Sequence, residues 1–386
     1  MNARPLGGET MLRLSLPACA AALSILSIAA ISPAQAQAPK EFKIGVVMSL
    51  SGGFVAAAKD TMDGVEGWEK ARGLPGKKIV YEKLDDETNP VSAVNAYRRL
   101  AGDPSVNLIY LFINSSAALA VKTLASEFKV PIISGGAADT LGSPPDPYLF
   151  KVAPAVRDFM TALAQYAQKK GYKRVALLNM TDAFGQSEAK NFKELAPKYG
   201  LEIVAAETMG VEDTNVNAQL TKIRASNPDV IYNGASSRIA ILSYKQIKQL
   251  GIKTPLVVTQ AAISKAFYDA LGGAKEADGL LTPIQLGSFG TAAGGETAKL
   301  YTELEKAMGR TPPYFATFGF DVGLMTEAAV KNSDGSREGI RAALEKLQNL
   351  PGLNGPISYS TQDHTGQDYK SIGIGRLEDG KAVLAN

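Results

Sequence analysis

Residues 110–120 read YLFINSSAALA. An apolar run with strand character stops at Asn114, Ser115 and Ser116 and then resumes with small residues that suit a helix, so the polar break marks a strand running into a helix start. In open parallel sheets, ligands sit beyond the carboxyl ends of the strands, where such loops lead into helix N-termini. The same unit recurs in both directions along the chain. KIGVVMSL, KIVYEKLD, VNLIYLFI, RVALLNM, LEIVAAET, DVIYNGA and TPLVVTQ read as strands bounded by Gly, Pro, Asn or Asp. Helical patterns fill 58–72, 90–102, 116–128, 155–170, 184–199, 216–226 and 237–250. This alternation predicts an α/β protein whose parallel sheets are covered on both faces.

The pattern restarts near Arg174, after the Pro-rich stretch GSPPDPYLFKVAP. Two α/β domains joined by a few crossings account for a chain of 386 residues. Helical patterns at 295–308 and 313–332 and a Gly-rich, β-like tail follow, and they need not belong to the domain just before them. The strand-end loops are MSLSGG (48–53), INSSAA (113–118), ISGGAAD (133–139), NMTDAFG (179–185), NGASS (233–237) and TQAAIS (259–264). They are rich in Ser, Gly, Ala, Asn and Thr and nearly free of charge, and hydroxyls and N–H groups at helix starts bind anions.

The bulk composition excludes several function classes. Hydrophobic residues make up 45% and charged residues 20%, with 41 Lys+Arg against 38 Asp+Glu, a balance that does not imply nucleic acid. The first forty residues differ from the rest: Arg4 and Arg13 precede an uncharged stretch from Leu14 to Ile31 that ends in SPAQAQA. That is the three-part pattern of a secretory signal, with cleavage expected after Ala36 or Ala38. Cys19, the single cysteine, lies inside it, so the exported chain would hold no disulfide and no cysteine chemistry. His364 is the single histidine, read as a turn residue between Asp363 and Gly366, which leaves no Ser-His-Asp triad or His-based metal site. Phosphate-loop and dinucleotide signatures are missing; the acidic run Asp85-Asp86-Glu87 reads as a solvated strand end, and Trp68 as helix packing. No catalytic group, metal or cofactor is expected.

The order of these loops behind an export signal resembles the type I periplasmic solute-binding proteins of ABC transporters, in the branched-chain amino-acid binding branch. The resemblance covers residues 41–380 and rests on IGVVMSLSG, the strand 78–84 followed by DDETNP, INSSAALA, VPIISGGAADT, LLNMTDAFGQS, DVIYNGAS and FGFDVGLMTEAA. It implies two Rossmann-like lobes joined by a three-crossing hinge: 41–156 plus 284–357 as one lobe, 157–283 plus 358–386 as the other. It further implies a periplasmic monomer that closes on a small ligand and presents the closed form to a membrane permease.

In the amino-acid binders of this family a serine after the third strand and the backbone of a following loop hold the ligand carboxylate. These positions fall on Ser115, with Ser116 beside it, and on Gly135, Gly136 and Ala138; Ala138 replaces a threonine. The acid that pairs with the ammonium falls on Gln260, and two aromatic positions become Ala57 and Ala235. Phe184, Phe320 and Phe54 would remain as aromatic walls. A buried ammonium without a carboxylate partner is several kcal/mol worse, so the resemblance implies a small carboxylate without an amine, such as a benzoate-like or aryl keto acid. Branched-chain or other aliphatic amino acids or amides are the alternative, and a receptor-like sensor on the same fold is a second.

Overall fold

The computed structural model describes residues 40–385. The secretory pattern, both cleavage positions and Cys19 lie outside the described residues.

The first sheet is built by a run of strand–helix units: β1 (Lys40–Met48), α1 (Val55–Ala71), β2 (Lys77–Asp85), α2 (Pro90–Gly102), β3 (Val106–Leu111), α3 (Ser115–Phe128), β4 (Ile132–Ser134), α4 (Asp139–Gly142) and β5 (Leu149–Lys151). Its order is β2-β1-β3-β4-β5, all parallel. Local signals match the elements they start. Asn89 caps α2 by accepting from Val91 N–H, with Pro90 in the first turn, and Asn114 caps α3 by accepting from Ala117 N–H.

The second sheet follows from α5 (Val156–Lys169), β6 (Arg174–Met180), α6 (Ala183–Leu195), β7 (Glu202–Met209), α7 (Asn217–Ala225), β8 (Val230–Gly234), α8 (Ser237–Gln249), β9 (Leu256–Val258), α9 (Lys265–Leu271) and β10 (Leu281–Gln285). The chain then returns to the first sheet with α10 (Gly295–Met308), α11 (Tyr314–Lys331) and α12 (Arg337–Glu345), adds the strand pair β11 (Ser358–Ser360) and β12 (Asp363–Gly366), and ends in β13 (Ile372–Glu378) and β14 (Lys381–Leu384). The order β14-β13-β10-β9-β8-β6-β7 makes a mixed sheet, because β13 runs antiparallel to β10 and pairs with β14 through an Asp379-Gly380 turn at positive φ. The polypeptide therefore passes between the sheets three times, near 151–156, 285–295 and 366–372.

Two details depart from the sequence reading of the lobes. β10 belongs wholly to the second sheet and runs across the expected limit at 283/284. The pair β11–β12 sits on β5 rather than with the second sheet, because His364 is buried there: its ring stacks on Phe150 at 4.2 Å and its Nδ1 meets the Leu149 carbonyl at 2.9 Å. His364 is thus a core residue in a strand, and not a turn residue.

Helix α11 crosses α1 at very close range. A Cβ on Gly64 would stand 2.0 Å from the Ala316 carbonyl oxygen, and one on Gly319 would stand 1.9 Å from that of Thr61. This contact fixes which face of α11 looks into the space between the sheets. Replacing Gly319 with Ala should lower stability by about 1–3 kcal/mol through overpacking; chemical denaturation checks this, and an unchanged midpoint would contradict the close crossing.

Candidate functional site

Loops from the carboxyl ends of both sheets line a small cavity of ≈ 50 Å³. The first sheet contributes Phe54, Ala57, Ile113, Ser115, Gly135, Ala137 and Ala153, and the second contributes Asp182, Phe184, Ser236, Gln260 and Ala261. Phe159 of α5 and Tyr314, Phe315 and Phe318 of α11 complete the wall.

Six of the residues expected from sequence meet here: Phe54, Ala57, Ser115, Gly135, Phe184 and Gln260. The other five do not line the cavity. Phe320 is fully buried in the core, since two helical residues turn it about 200° from Phe318; Tyr314, Phe315 and Phe318 share the open face, with Tyr314 edge-on to Phe318 at 5.1 Å. Ala235 is also fully buried, and the next residue, Ser236, reaches the cavity. Gly136 is buried beneath Leu141, and Ala138 is closed off entirely. Ser116 bridges the sheets: its Oγ accepts from Ala183 N–H at 3.2 Å, so the starts of α3 and α6 touch.

The backbone cradle is not free for a ligand. Gly135 N–H donates to Leu111 O, Gly136 N–H to Ser134 Oγ, and Ala137 and Ala138 N–H both to Ser115 Oγ, at 3.1 and 3.2 Å. The loop is satisfied by its own fold. The consequence falls on Ser115: a hydroxyl has two lone pairs and one proton, both lone pairs are taken, and the proton remains to be donated. As the first two residues of α3, Ser115 and Ser116 also carry N–H groups with no acceptor inside the helix.

The opposite end carries an amide and an acid. Gln260 is buried, and its Oε1 accepts from the Thr259 hydroxyl at 3.1 Å, which leaves its NH₂ as the group to offer a ligand. Behind it lies Glu188, fully buried, accepting from Tyr232 O–H at 2.5 Å and Asn179 Nδ2 at 2.9 Å, with the Thr259 hydroxyl also in range. Burial pushes the Glu188 carboxyl up to about 8, so it is neutral at pH 7. Asp182 was missed in the sequence, although it is the one acid in NMTDAFG. It caps α6 by accepting from Gly185 N–H at 2.8 Å, and burial raises its pKa above the ordinary carboxylate range.

One further sequence reading changes here. Asp85 and Asp86 are not merely a solvated strand end: Asp85 accepts from Leu50 and Ser51 N–H, and the buried Asp86 accepts from the Ser49 hydroxyl, which together pin the loop leading to Phe54. Tyr314 is held by a buried chain that joins the crossings. Its hydroxyl donates to Gln285 Oε1 at 2.5 Å, Gln285 Nε2 donates to Gln367 Oε1 at 3.5 Å, and Gln367 Nε2 donates to Asp321 at 3.3 Å.

The family described as periplasmic binding protein matches residues 41–381, which is most of the chain. The chain is a type I periplasmic binding protein. Among its relatives is Leu/Ile/Val-binding protein homolog 3 of Brucella melitensis, 24% identical over 368 residues, covering 94% of this chain and 98% of that one. An extracellular ligand-binding receptor from Rhodopseudomonas palustris HaA2 superposes with a TM-score of 0.81 at 28% identity, over 89% of this chain and 99% of that one. A solute binding protein from R. palustris solved with benzoate superposes with a TM-score of 0.79 at 22% identity, over 90% and 96% of the two chains, and shows the shared fold. This periplasmic binding protein is accordingly a ligand-binding component of ABC transport in the branched-chain amino-acid binding family. Among its described residues no helix is long and apolar enough to cross a membrane, and no group of three or more His, Cys, Asp or Glu is placed to hold a metal.

Glu188 predicts a pH dependence. Its folded pKa of about 8 lies above the ordinary 4.5, so between these values the folded state binds the proton that the unfolded state has lost. Its contribution is fully present below pH 4.5 and is lost as pH rises through 8. Thermal melts across pH 5–9 should show wild type losing stability toward alkaline pH and Glu188→Gln losing less; parallel curves would contradict a neutral buried Glu188.

Proposed function

We propose that the protein binds a small aromatic carboxylate, benzoate-like or an aryl keto acid, between two lobes that close over it, and delivers it to a membrane permease. The observation that carries this reading is the Ser115 hydroxyl, which has only a proton left to give and therefore asks the ligand for an acceptor. The Gln260 amide adds a second donor, and six aromatic rings surround the space between them.

The magnitudes agree. Burying roughly 150 Å² of ring contributes about 4 kcal/mol, and two or three charge-assisted hydrogen bonds add a similar amount. After the cost of association, affinity near the micromolar range, about −8 kcal/mol, follows.

The lobes of this reading are 41–156 plus 284–357 and 157–283 plus the tail, adjusted so that β10 stays with the second and β11–β12 with the first. The protein acts as an exported monomer released by cleavage after Ala36 or Ala38, and it binds without turnover. The fold does not choose the ligand, since a relative named for Leu/Ile/Val binding and a structural neighbour holding benzoate share it; the lining does.

A second reading, an aliphatic amino acid, is favoured by Asp182, an acid among the residues that line the cavity and a partner for an ammonium. A thermal-shift and calorimetry panel separates the two. Benzoate-type acids should stabilise wild type and leucine should not, and Asp182→Asn should keep benzoate affinity within a fewfold. A leucine response that Asp182→Asn abolishes would establish the amino-acid reading instead. Ser115→Ala should weaken the carboxylate by roughly 1–3 kcal/mol and also lower the melting temperature of the free protein, because the Ala137 and Ala138 N–H groups lose their acceptor; unchanged affinity would remove Ser115 from the site.

A further inference from the structure

Lys151 ends β5, at the first crossing between the sheets, and is completely buried. Its Nζ donates to the Ala137 carbonyl at 3.0 Å and the Pro154 carbonyl at 3.5 Å. Among the described residues no carboxylate lies within ion-pair distance, 4.0 Å, of this ammonium. Carbonyl dipoles solvate the charge but do not cancel it, and a buried charge of this kind is costly unless something of opposite sign joins it.

The carbonyl that Lys151 holds belongs to the peptide whose N–H, on Ala138, donates to Ser115 Oγ. The order is therefore ammonium, peptide, Ser115 hydroxyl, ligand. Each bond polarises the next, so the buried charge makes the Ser115 proton a stronger donor and adds its own field in a low-dielectric interior. Ala137, whose carbonyl the ammonium meets, and Ala153, two residues after Lys151, line the cavity itself.

We propose that Lys151 is a specificity-determining residue of the cleft: its buried ammonium, one peptide behind Ser115, is the positive charge against which the site selects an anionic ligand over a neutral ligand of the same shape. The inference rests on the carboxylate reading given above and adds the source of its charge selectivity.

Several groups face Lys151 from the elements around it. Asp139 of α4, Asp158 of α5 and Asp363 of β12 favour its charge and Lys122 of α3 opposes it. Asp139 is committed to Arg157 N–H and Asn191 Nδ2, and Asp363 accepts from Thr365 N–H at the surface. Burial pushes the Asp158 carboxyl up to about 6. The Tyr359 hydroxyl donates to the Lys151 carbonyl, and His364 is turned to Leu149. Burial nevertheless dominates and draws the ammonium down to about 8, so its charge is present below that pH and lost above it. Across the cavity, Glu188 ionises in the same range and would also repel an anion, so it must be removed from the comparison.

The test uses calorimetry with benzoate and benzamide, which share a ring and differ in charge. Wild type should bind benzoate at least tenfold more tightly than benzamide. Lys151→Met should lower benzoate affinity at least tenfold and change benzamide affinity less than threefold. In a Glu188→Gln background that keeps Lys151, benzoate affinity should fall at least tenfold from pH 6.5 to 9.5 while benzamide affinity stays level; this arm does not depend on the Lys151 variant folding. Wild type that binds benzoate, with the selectivity ratio intact in Lys151→Met or with a flat pH profile in Glu188→Gln, overturns the role of Lys151 and leaves the carboxylate reading standing. Wild type that binds neither probe overturns that reading, and the inference with it.

Discussion

The Ser115 hydroxyl accepts two backbone hydrogen bonds, from Ala137 and Ala138, and this arrangement decides how the cleft can speak to a ligand. It folds the 134–138 loop onto the start of α3, takes up the Ala137 and Ala138 donors, and leaves one proton to donate. Neighbouring features depend on the same point: Ser116 bridges to the start of α6, and Lys151 sits behind the loop on the Ala137 carbonyl. A loop of small residues is used because larger ones would fill the close approach between Gly136, Ala118 and Leu141.

The second sheet answers with groups of mixed character. Gln260 offers an amide backed by a neutral Glu188, and Asp182 offers a carboxyl already engaged in capping α6. Charge on the two sides is therefore unequal: a buried cation stands behind the first lobe's end of the cleft, and the acids opposite it are drawn toward their neutral forms by burial. That inequality supports the proposed carboxylate reading. The rings of Phe184, Phe315 and Phe318 then set its shape. Tyr314 links the cavity to the crossings through Gln285, Gln367 and Asp321, which gives ligand contact a physical route to the segments that must bend when lobes move.

Much of this was readable in the sequence, for local reasons. Strand runs ending in Asn, Ser, Gly or Asp, with caps such as Asn89-Pro90 and Asn114, depend on near neighbours, and residues of INSSAALA and of NMTDAFG line the cavity. What failed depended on distant contacts. Phe320 and Phe318 differ only in helical phase, and the phase of α11 is set by Gly64 and Gly319 meeting α1. Ala235 and Ser236 differ by one residue at a strand end. The donors of Gly135, Gly136 and Ala138 seemed free, but Gly135 N–H goes to Leu111 O and Gly136 N–H to Ser134 Oγ, and the lone pairs that bind 137 and 138 lie on Ser115, some twenty residues earlier. Nothing in LFKVAP singles out Lys151, whose burial comes from the elements packed around the first crossing. Asp182, by contrast, is legible as the one acid of the NMTDAFG loop.

The anion end of the cleft carries the proposed specificity. A crystal structure of the protein grown with benzoate tests it most directly. The account predicts the carboxylate within hydrogen-bond distance of Ser115 Oγ, with the ring between Phe184 and the Phe315–Phe318 face. A carboxylate bound elsewhere, or a co-purified amino acid whose ammonium rests on Asp182 in its place, would contradict it.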